Sequence, residues 1–112
     1  MRVDYKDALT RHRFDLFYLD TAVAGLIETV LLPDHLWIEN IAVHPQQQGR
    51  GIGSLLLSHA EAQAADAGVR ELRLVTNGAF ESNVALYLRR GYGIARTEPF
   101  MGGTAVHMTK VV

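Results

Sequence analysis

A glycine-rich segment near the middle of the chain has the composition of an anion-binding loop. Glycines occupy positions 49, 51 and 53, after an apolar run at 37–43 and around the start of a helical stretch at Ile52. The first N–H groups of a helix lack intrahelical partners and lie at the positive end of its dipole, so they bind phosphate well. Glycine allows close backbone approach, and Arg50 adds a positive charge. The segment therefore predicts an anion site between a strand and a helix.

The spacing of these glycines disfavours two common nucleotide-binding motifs. Read from Gly49 and Gly51, the dinucleotide fingerprint G-x-G-x-x-G requires a third glycine where the chain has Ser54. The phosphate loop of nucleoside triphosphatases requires Gly-Lys-Ser/Thr, a tripeptide absent from the sequence. Binding of ATP or NAD is therefore not the favoured function of this loop.

Two segments resemble the GNAT acetyltransferases instead. Residues 48–53, Gln-Gly-Arg-Gly-Ile-Gly, preceded by Ile-Ala-Val-His-Pro at 41–45, are similar to the acetyl-CoA pyrophosphate loop of that family. Downstream, Asn83 precedes Ala-Leu-Tyr and the helix ends at Gly91-Tyr92, which is similar to the family's fourth helix. The resemblance covers most of the chain. It implies an acyl-CoA N-acyltransferase fold, a mixed and mostly antiparallel central sheet flanked by helices.

The resemblance also implies acetyl-CoA as the acyl donor and assigns residues to it. The exposed backbone of residues 41–43 would pair with the pantetheine amides as an added strand does, with the N–H of Val43 donating to the thioester carbonyl. Asn83 would contact the pantetheine arm, and Tyr87, one helical turn later, would protonate the departing sulfur. The residues expected to bind acetyl-CoA are Ile41, Ala42, Val43, Gln48, Gly49, Arg50, Gly51, Ile52, Gly53, Ser54, Asn83 and Tyr87.

The general base has two candidates. Glu39 lies near the end of the third predicted strand, and strict alternation places its side chain with those of Ile41 and Val43. It could deprotonate an ammonium directly or through water, although a solvated strand residue is an equal alternative. His44 could serve instead, because imidazole titrates near neutral pH. Glu39 ranks first. On the later helix, Arg89 or Arg90 could meet a CoA phosphate, or could only stabilise the helix C-terminus.

The predicted activity is N-acetyltransfer from acetyl-CoA to a primary amine of a small molecule or peptide, by direct attack. One difference from the family pattern suggests an alternative. A typical member has a strand and two helices that shape the acceptor site, where this chain has the 13 residues ahead of Phe14. The alternative is a non-catalytic acyl-CoA-binding or interaction module whose acceptor site is lost. Apolar sheet surface left uncovered there would favour a homodimer.

The length allows one domain over residues 1–112, which the resemblance implies is an N-acetyltransferase domain. The net charge of −1 suggests neither nucleic acid nor an anionic membrane as a partner. The chain has no cysteine, and its five histidines show no metal-ligand spacing, so no metal site is expected. The charged N-terminus does not resemble a signal peptide, and a cytoplasmic location is predicted.

Hydrophobic periodicity predicts strands, helix, strand, helix and hairpin, in that order. The helix predicted at 52–67 should bury one side and end before Gly68, because glycine commonly follows a helix. The buried side is predicted to contain Ile52, Leu55, Leu56, Ala60 and Ala64. The predicted elements are a short polar helix at 4–13, strands at 14–19 (covered at least partly on both faces), 23–32 and 36–43, a helix at 52–67, a strand at 72–76, a helix at 83–90, and a hairpin of 92–97 with 104–112 around Gly102-Gly103.

Overall fold

Six strands form one mixed sheet in a computed structural model, which describes residues 12–112. The elements are β1 (His12–Leu19), β2 (Ala22–Leu31), β3 (Leu36–Val43), a 3₁₀ turn (Pro45–Gln47), α1 (Ile52–Asp66), β4 (Glu71–Asn77), α2 (Glu81–Arg89), β5 (Gly93–Phe100) and β6 (Gly103–Val111). The strand order is β1-β2-β3-β4-β6-β5, and among the described strands only the β3–β4 pair is parallel. The predicted fold class, a mostly antiparallel sheet flanked by helices, is confirmed.

Helix α1 covers one face of the sheet and supplies much of the core. Gln63 Nε2 donates a 3.1 Å hydrogen bond to Oγ1 of the fully buried Thr29, which ties α1 to β2. The prediction that Leu55 lies on the buried side was wrong, since Leu55 is half exposed and Leu57 is buried. At 100° per residue, Leu55 lies outside the arc of the helix surface that the buried residues span, while Leu57 lies within it. The buried residues of α1 are Ile52, Leu56, Leu57, Ala60 and Ala64.

The first turn of α1 lies very close to β2 at Gly25. A Cβ atom on Gly25 would lie 3.0 Å from Ile52 Cγ2, 3.1 Å from the carbonyl oxygen of Ala42 and 3.2 Å from Leu56 Cδ1. These separations are shorter than ordinary van der Waals contact. The missing side chain at Gly25 therefore sets how near the helix N-terminus can come to the sheet.

Strand β1 begins earlier than predicted, at His12. The helix predicted at 4–13 lies outside the described residues except for His12 and Arg13, and these two positions belong to β1. Phe17 and Leu19 pack against the core.

The two faces of β1 are covered unequally within residues 12–112, where at least partial cover of both was predicted. Because side chains alternate along a strand, those on the α1 side are shielded by the core. The side chains on the opposite face are about half exposed or more, and they are Phe14, Leu16 and Tyr18.

The terminal hairpin forms as predicted, but its turn is one residue earlier. Met101 and Gly102 are the two turn residues, with φ of 49° and 79°, and Gly103 already begins β6. Two consecutive positive φ values are typical of the type I′ turns that join antiparallel strands.

Neither helix of residues 12–112 is long and apolar enough to cross a membrane.

Candidate functional site

The parallel strands β3 and β4 separate after two paired positions. Leu36 pairs with Leu72 and Trp37 pairs with Arg73, whereas β3 stays paired with β2 as far as Val43. Beyond Trp37, the backbone of β3 therefore has an unpaired edge on its β4 side. Separation of two neighbouring strands opens a cleft in the middle of the sheet.

Backbone alternation shows which groups point into this cleft. The N–H of His44 donates to the carbonyl oxygen of Ala24 at 2.8 Å, so it points towards β2. Successive N–H groups in a strand point to opposite sides, and the N–H of Val43 therefore points to the unpaired edge. The N–H of Ile41 lies on the same side. This geometry matches the role expected of Val43 from the resemblance.

The glycine-rich loop leads from β3 into the first turn of α1. Gly49 and Gly51 have φ of 80° and 79°, in the left-handed region that side chains with a Cβ disfavour. Gly51 is the N-cap of α1, and no described side chain caps the first turn. A Cβ on either glycine would meet nothing within 4 Å, so open space lies in front of the loop. Uncapped N–H groups facing open space suit an anionic ligand.

A cavity of about 690 Å³ joins the glycine loop, the unpaired edge of β3 and helix α2. Eleven of the twelve residues expected to bind acetyl-CoA line it, and Arg50 is the exception. Gln47, Ser82 and Leu86 also line the cavity and were not predicted from the sequence. The last two follow from helical spacing, because positions 82, 83 and 86 share one face of α2. Residues far apart in sequence are thus brought to one cavity.

Arg89 carries the positive charge at this cavity. It is the sole arginine, lysine or histidine among the described residues that line it. Arg90 turns away, and its Nη2 donates to Ser58 Oγ at 2.6 Å and Glu61 Oε1 at 3.3 Å. The two arginines therefore separate into one that faces the cavity and one that links α2 to α1.

A second cavity of about 250 Å³ lies between the separated ends of β3 and β4. It shares Ile41, Asn83 and Tyr87 with the larger cavity, so the two adjoin at these three residues. Glu39 lines the second cavity and not the first. The carboxylate of Glu39 and the phenol of Tyr87 therefore both line the second cavity, and Tyr87 also lines the first.

Glu39 is the extra residue of a β-bulge. Ile38 pairs with Thr29 and Asn40 pairs with Glu28, so Glu39 has no opposite residue on β2. The prediction that strict alternation gives Glu39 the side-chain parity of Ile41 was therefore wrong, because a bulge interrupts alternation. Trp37 Nε1 donates a 2.5 Å hydrogen bond to Glu39 Oε2.

His44, the alternative base, has a different role in the structure. Its Nδ1 accepts a 3.1 Å hydrogen bond from the N–H of Gln46 and caps the 3₁₀ turn. His44 lines neither cavity. The loop-ordering contact accounts for its position between β3 and the glycine loop.

Tyr87 is buried at the junction of the two cavities. Burial raises the pKa of its hydroxyl above the ordinary value, because an apolar environment disfavours the phenolate. The phenol therefore stays protonated at neutral pH and can donate its proton. That state suits a general acid and does not suit a base.

Comparison with known families identifies the class of protein. The model of the acetyltransferase (GNAT) family matches residues 2–92, which is most of the chain. The chain belongs to the acetyltransferase (GNAT) family. Among curated proteins, none matches the sequence.

Solved structures share the fold at low sequence identity. Nourseothricin acetyltransferase has a TM-score of 0.85 at 22% identity, over 90% of this chain and 65% of its own. A GNAT family acetyltransferase from Elizabethkingia anophelis with acetyl-CoA bound has a TM-score of 0.81 at 20% identity, over 96% and 80%. The ribosomal-protein-S18-alanine N-acetyltransferase from Escherichia coli has a TM-score of 0.83 at 23% identity, over 100% and 79%. The chain thus spans less than two thirds of the first of these proteins.

Proposed function

We propose that this protein is an acetyl-CoA-dependent N-acetyltransferase that moves an acetyl group to a primary amine of a small molecule or peptide by direct attack. The observation that carries the proposal is the junction of the two cavities at Tyr87. A donor in the larger cavity and an acceptor in the smaller one would meet at this side chain. Membership of the family and the shared fold support the same activity class.

The residues present fit acetyl-CoA as the donor. The uncapped N–H groups that follow Gly51 would hold the pyrophosphate, and Arg89 would add a charge-assisted hydrogen bond to a phosphate. The edge of β3 offers the N–H groups of Ile41 and Val43 to the pantetheine amides, in the manner of an added strand. Asn83, on the opposite wall, would contact the same arm.

The chain supplies the groups that the reaction needs. When bound, acetyl-CoA supplies a thioester whose carbonyl carbon is attacked by the neutral amine, so that a C–N bond forms and the C–S bond breaks. The N–H of Val43 would stabilise the negative charge that develops on the carbonyl oxygen. Tyr87 would give its proton to the departing sulfur, and Glu39 would accept the ammonium proton directly or through water.

Two measurements test the proposal in sequence. Acetyl-CoA and CoA should raise the melting temperature of the protein while ATP and NAD should not, because only ligands of the native state stabilise it. Release of CoA thiol with a panel of amines then reports turnover. Since the chain has no cysteine, a thiol reagent detects only the product. Absence of a shift with both CoA species would contradict donor binding.

The non-catalytic acyl-CoA-binding module remains the competing function. Binding of acetyl-CoA without turnover of any amine would favour it. The presence of Glu39 in a cavity that adjoins Tyr87 favours the enzyme, since a pure binder requires neither group.

The homodimer stays a prediction. The half-exposed apolar side chains Phe14, Leu16 and Tyr18 support it, and a monomer mass in solution would contradict it.

A further inference from the structure

The size of the cavity between β3 and β4 restricts the acceptor. Its volume is about 250 Å³, below the roughly 300–1,000 Å³ typical of sites for drug-sized ligands. The residues at its junction with the larger cavity, Ile41, Asn83 and Tyr87, come from β3 and α2. A compact molecule fills such a space, with its amine directed towards the junction.

The charge of the cavity restricts the acceptor further. Glu39 is the one carboxylate among the described residues that line it, and none of them is lysine, arginine or histidine. Trp37 holds Glu39 through Oε2, which leaves Oε1 to accept from an ammonium group. Among its described lining residues the cavity therefore offers a charged partner to a positive group and no charged partner to a negative group.

Two basic side chains on the neighbouring strands β4 and β6 already contact carboxylates. Arg73, beside the last paired position of β3 and β4, donates to Glu71 at 2.9 Å. His107, opposite Val75 in the β4–β6 ladder, contacts Glu98 at 2.7 Å. A carboxylate on the acceptor would thus lose hydration, meet no cation among the described lining residues and face Glu39, which is unfavourable on each count.

The walls of the cavity include exposed apolar side chains. Phe80, at the start of α2, is 58% exposed, and Val75, on β4, is 38% exposed. Both line the cavity, together with the buried Ile38 and Leu74. An apolar body on the acceptor would cover Phe80 and Val75 and remove their surface from water.

We infer that the acceptor is a small primary amine with an apolar body and no carboxylate group. The inference rests on the proposed function and specifies the acceptor class for it. The chemistry favours the decarboxylated form of an apolar amino acid over the amino acid itself.

Matched pairs of acceptors test this inference with the full chain and saturating acetyl-CoA. Phenethylamine against phenylalanine, and isoamylamine against leucine, differ only by the carboxylate. We expect kcat/KM to be at least roughly tenfold higher for the amine of each pair, the factor given by about 1.4 kcal/mol of unfavourable charge interaction. Phenylalaninamide has the bulk of phenylalanine without its charge, and it should react closer to phenethylamine.

Variants at Val75 isolate the charge. Val75→Lys places a cation in the cavity wall and should lower the preference for phenethylamine over phenylalanine about tenfold. Val75→Met, of similar length without charge, should leave the preference as it is. Equal reaction of phenethylamine and phenylalanine in the unaltered protein would overturn the inference, as would phenylalaninamide as poor as phenylalanine.

Failure of the inference can be told apart from failure of the proposed function. If acetyl-CoA stabilises the protein and phenylalanine or a phenylalanyl peptide is the better acceptor, the acceptor class is wrong and the N-acetyltransferase stands. If acetyl-CoA binds and neither member of either pair reacts, the acceptor class is likewise overturned. If acetyl-CoA does not bind, the proposed function itself is wrong.

Discussion

The rings of Tyr87 and Tyr92 meet edge to face, with centroids 5.9 Å apart and an interplanar angle of 63°. The N–H of Tyr92 also donates to the carbonyl oxygen of Tyr87 at 2.9 Å, which closes the C-terminal end of α2. The centroid of the Tyr92 ring also lies 5.7 Å from Nζ of Lys110. The two tyrosines are therefore neighbours in one core, yet only Tyr87 reaches the cavities. This pair provides a matched test of the proposed general acid.

Tyr87→Phe should lower kcat by about 10- to 100-fold, at or below the bottom of the roughly 10²–10⁴-fold range for a general acid, because a thiolate leaves readily. The affinity for CoA should change little, since the ring remains. Tyr92→Phe is the control, because Tyr92 lines neither cavity, and its kcat should stay close to that of the parent. Steady-state kinetics with calorimetric CoA binding separates the two effects. An unchanged kcat in Tyr87→Phe would assign Tyr87 to packing alone.

The buried tyrosines should make the fold sensitive to alkaline pH. Burial raises the pKa of both hydroxyls, and the negative charge of Glu61 raises that of Tyr92 further. Below pH about 10, the ordinary tyrosine pKa, folded and unfolded chains both keep these protons. At higher pH the unfolded chain loses them first, so the free energy of unfolding should fall as pH rises.

Tyr92→Phe should reduce this alkaline loss of stability. The Tyr92 hydroxyl is buried with no hydrogen-bond partner among the described residues. Its removal at pH 7 should change the free energy of unfolding by no more than about 1 kcal/mol, because the hydroxyl makes no hydrogen bond of good geometry yet lies near the Glu61 carboxylate. Urea unfolding at pH 7 and pH 10.5 measures both effects. A variant that loses as much stability as the parent between these pH values would contradict the assignment.

Gly51→Asp should abolish CoA binding, because it places a negative charge beside the proposed pyrophosphate site. Any side chain at Gly51 is strained by its φ of 79°, so the charge needs a matched control. Gly51→Asn supplies it, as asparagine has the same size and tolerates this backbone region. Calorimetry should show at least roughly hundredfold weaker binding for Asp than for Asn. Equal affinities would contradict the proposed role of the loop.

Arg89→Gln and Arg90→Gln should have separate effects. Arg89→Gln should weaken CoA binding roughly tenfold, the size of one charge-assisted hydrogen bond. Arg90→Gln should leave CoA affinity near that of the parent and lower stability by about 1 kcal/mol, because Arg90 links Ser58 and Glu61. Titrations of each variant with CoA, together with melting curves, distinguish them. The reverse pattern would show that Arg90 is the phosphate contact.

Gly25→Ala should damage both stability and donor binding. Its methyl group would collide with Ile52, Leu56 and the backbone of Ala42, at a cost of about 1–3 kcal/mol for overpacking. Displacement of the first turn of α1 should also weaken CoA binding. Gly93→Ala is the control, since a Cβ there meets nothing within 4 Å. Normal CoA affinity in a destabilised Gly25→Ala variant would show that the helix start does not depend on this contact.

Local features of the site could be predicted from the sequence because they depend on neighbours along the chain. The glycine spacing from Gly49 to Gly53 predicts a loop and a helix start, and both are present. The four-residue separation of Asn83 and Tyr87 places both on one face of a helix, and both line the larger cavity. The boundary of α1 was likewise within one residue of the prediction.

Other features depend on contacts between distant segments, which no local pattern reports. The separation of β3 from β4 after Trp37, and the bulge at Glu39, arise from strand pairing across the sheet. The choice of Arg89 over Arg50 as a cavity residue depends on how α2 packs against α1. The sequence by itself determined the loop, the helix faces and the family resemblance, since each follows from short-range spacing. The two adjoining cavities, with Arg89 at one and Glu39 at the other, were decided only by tertiary structure, because strand pairing and helix packing bring together residues that are distant along the chain.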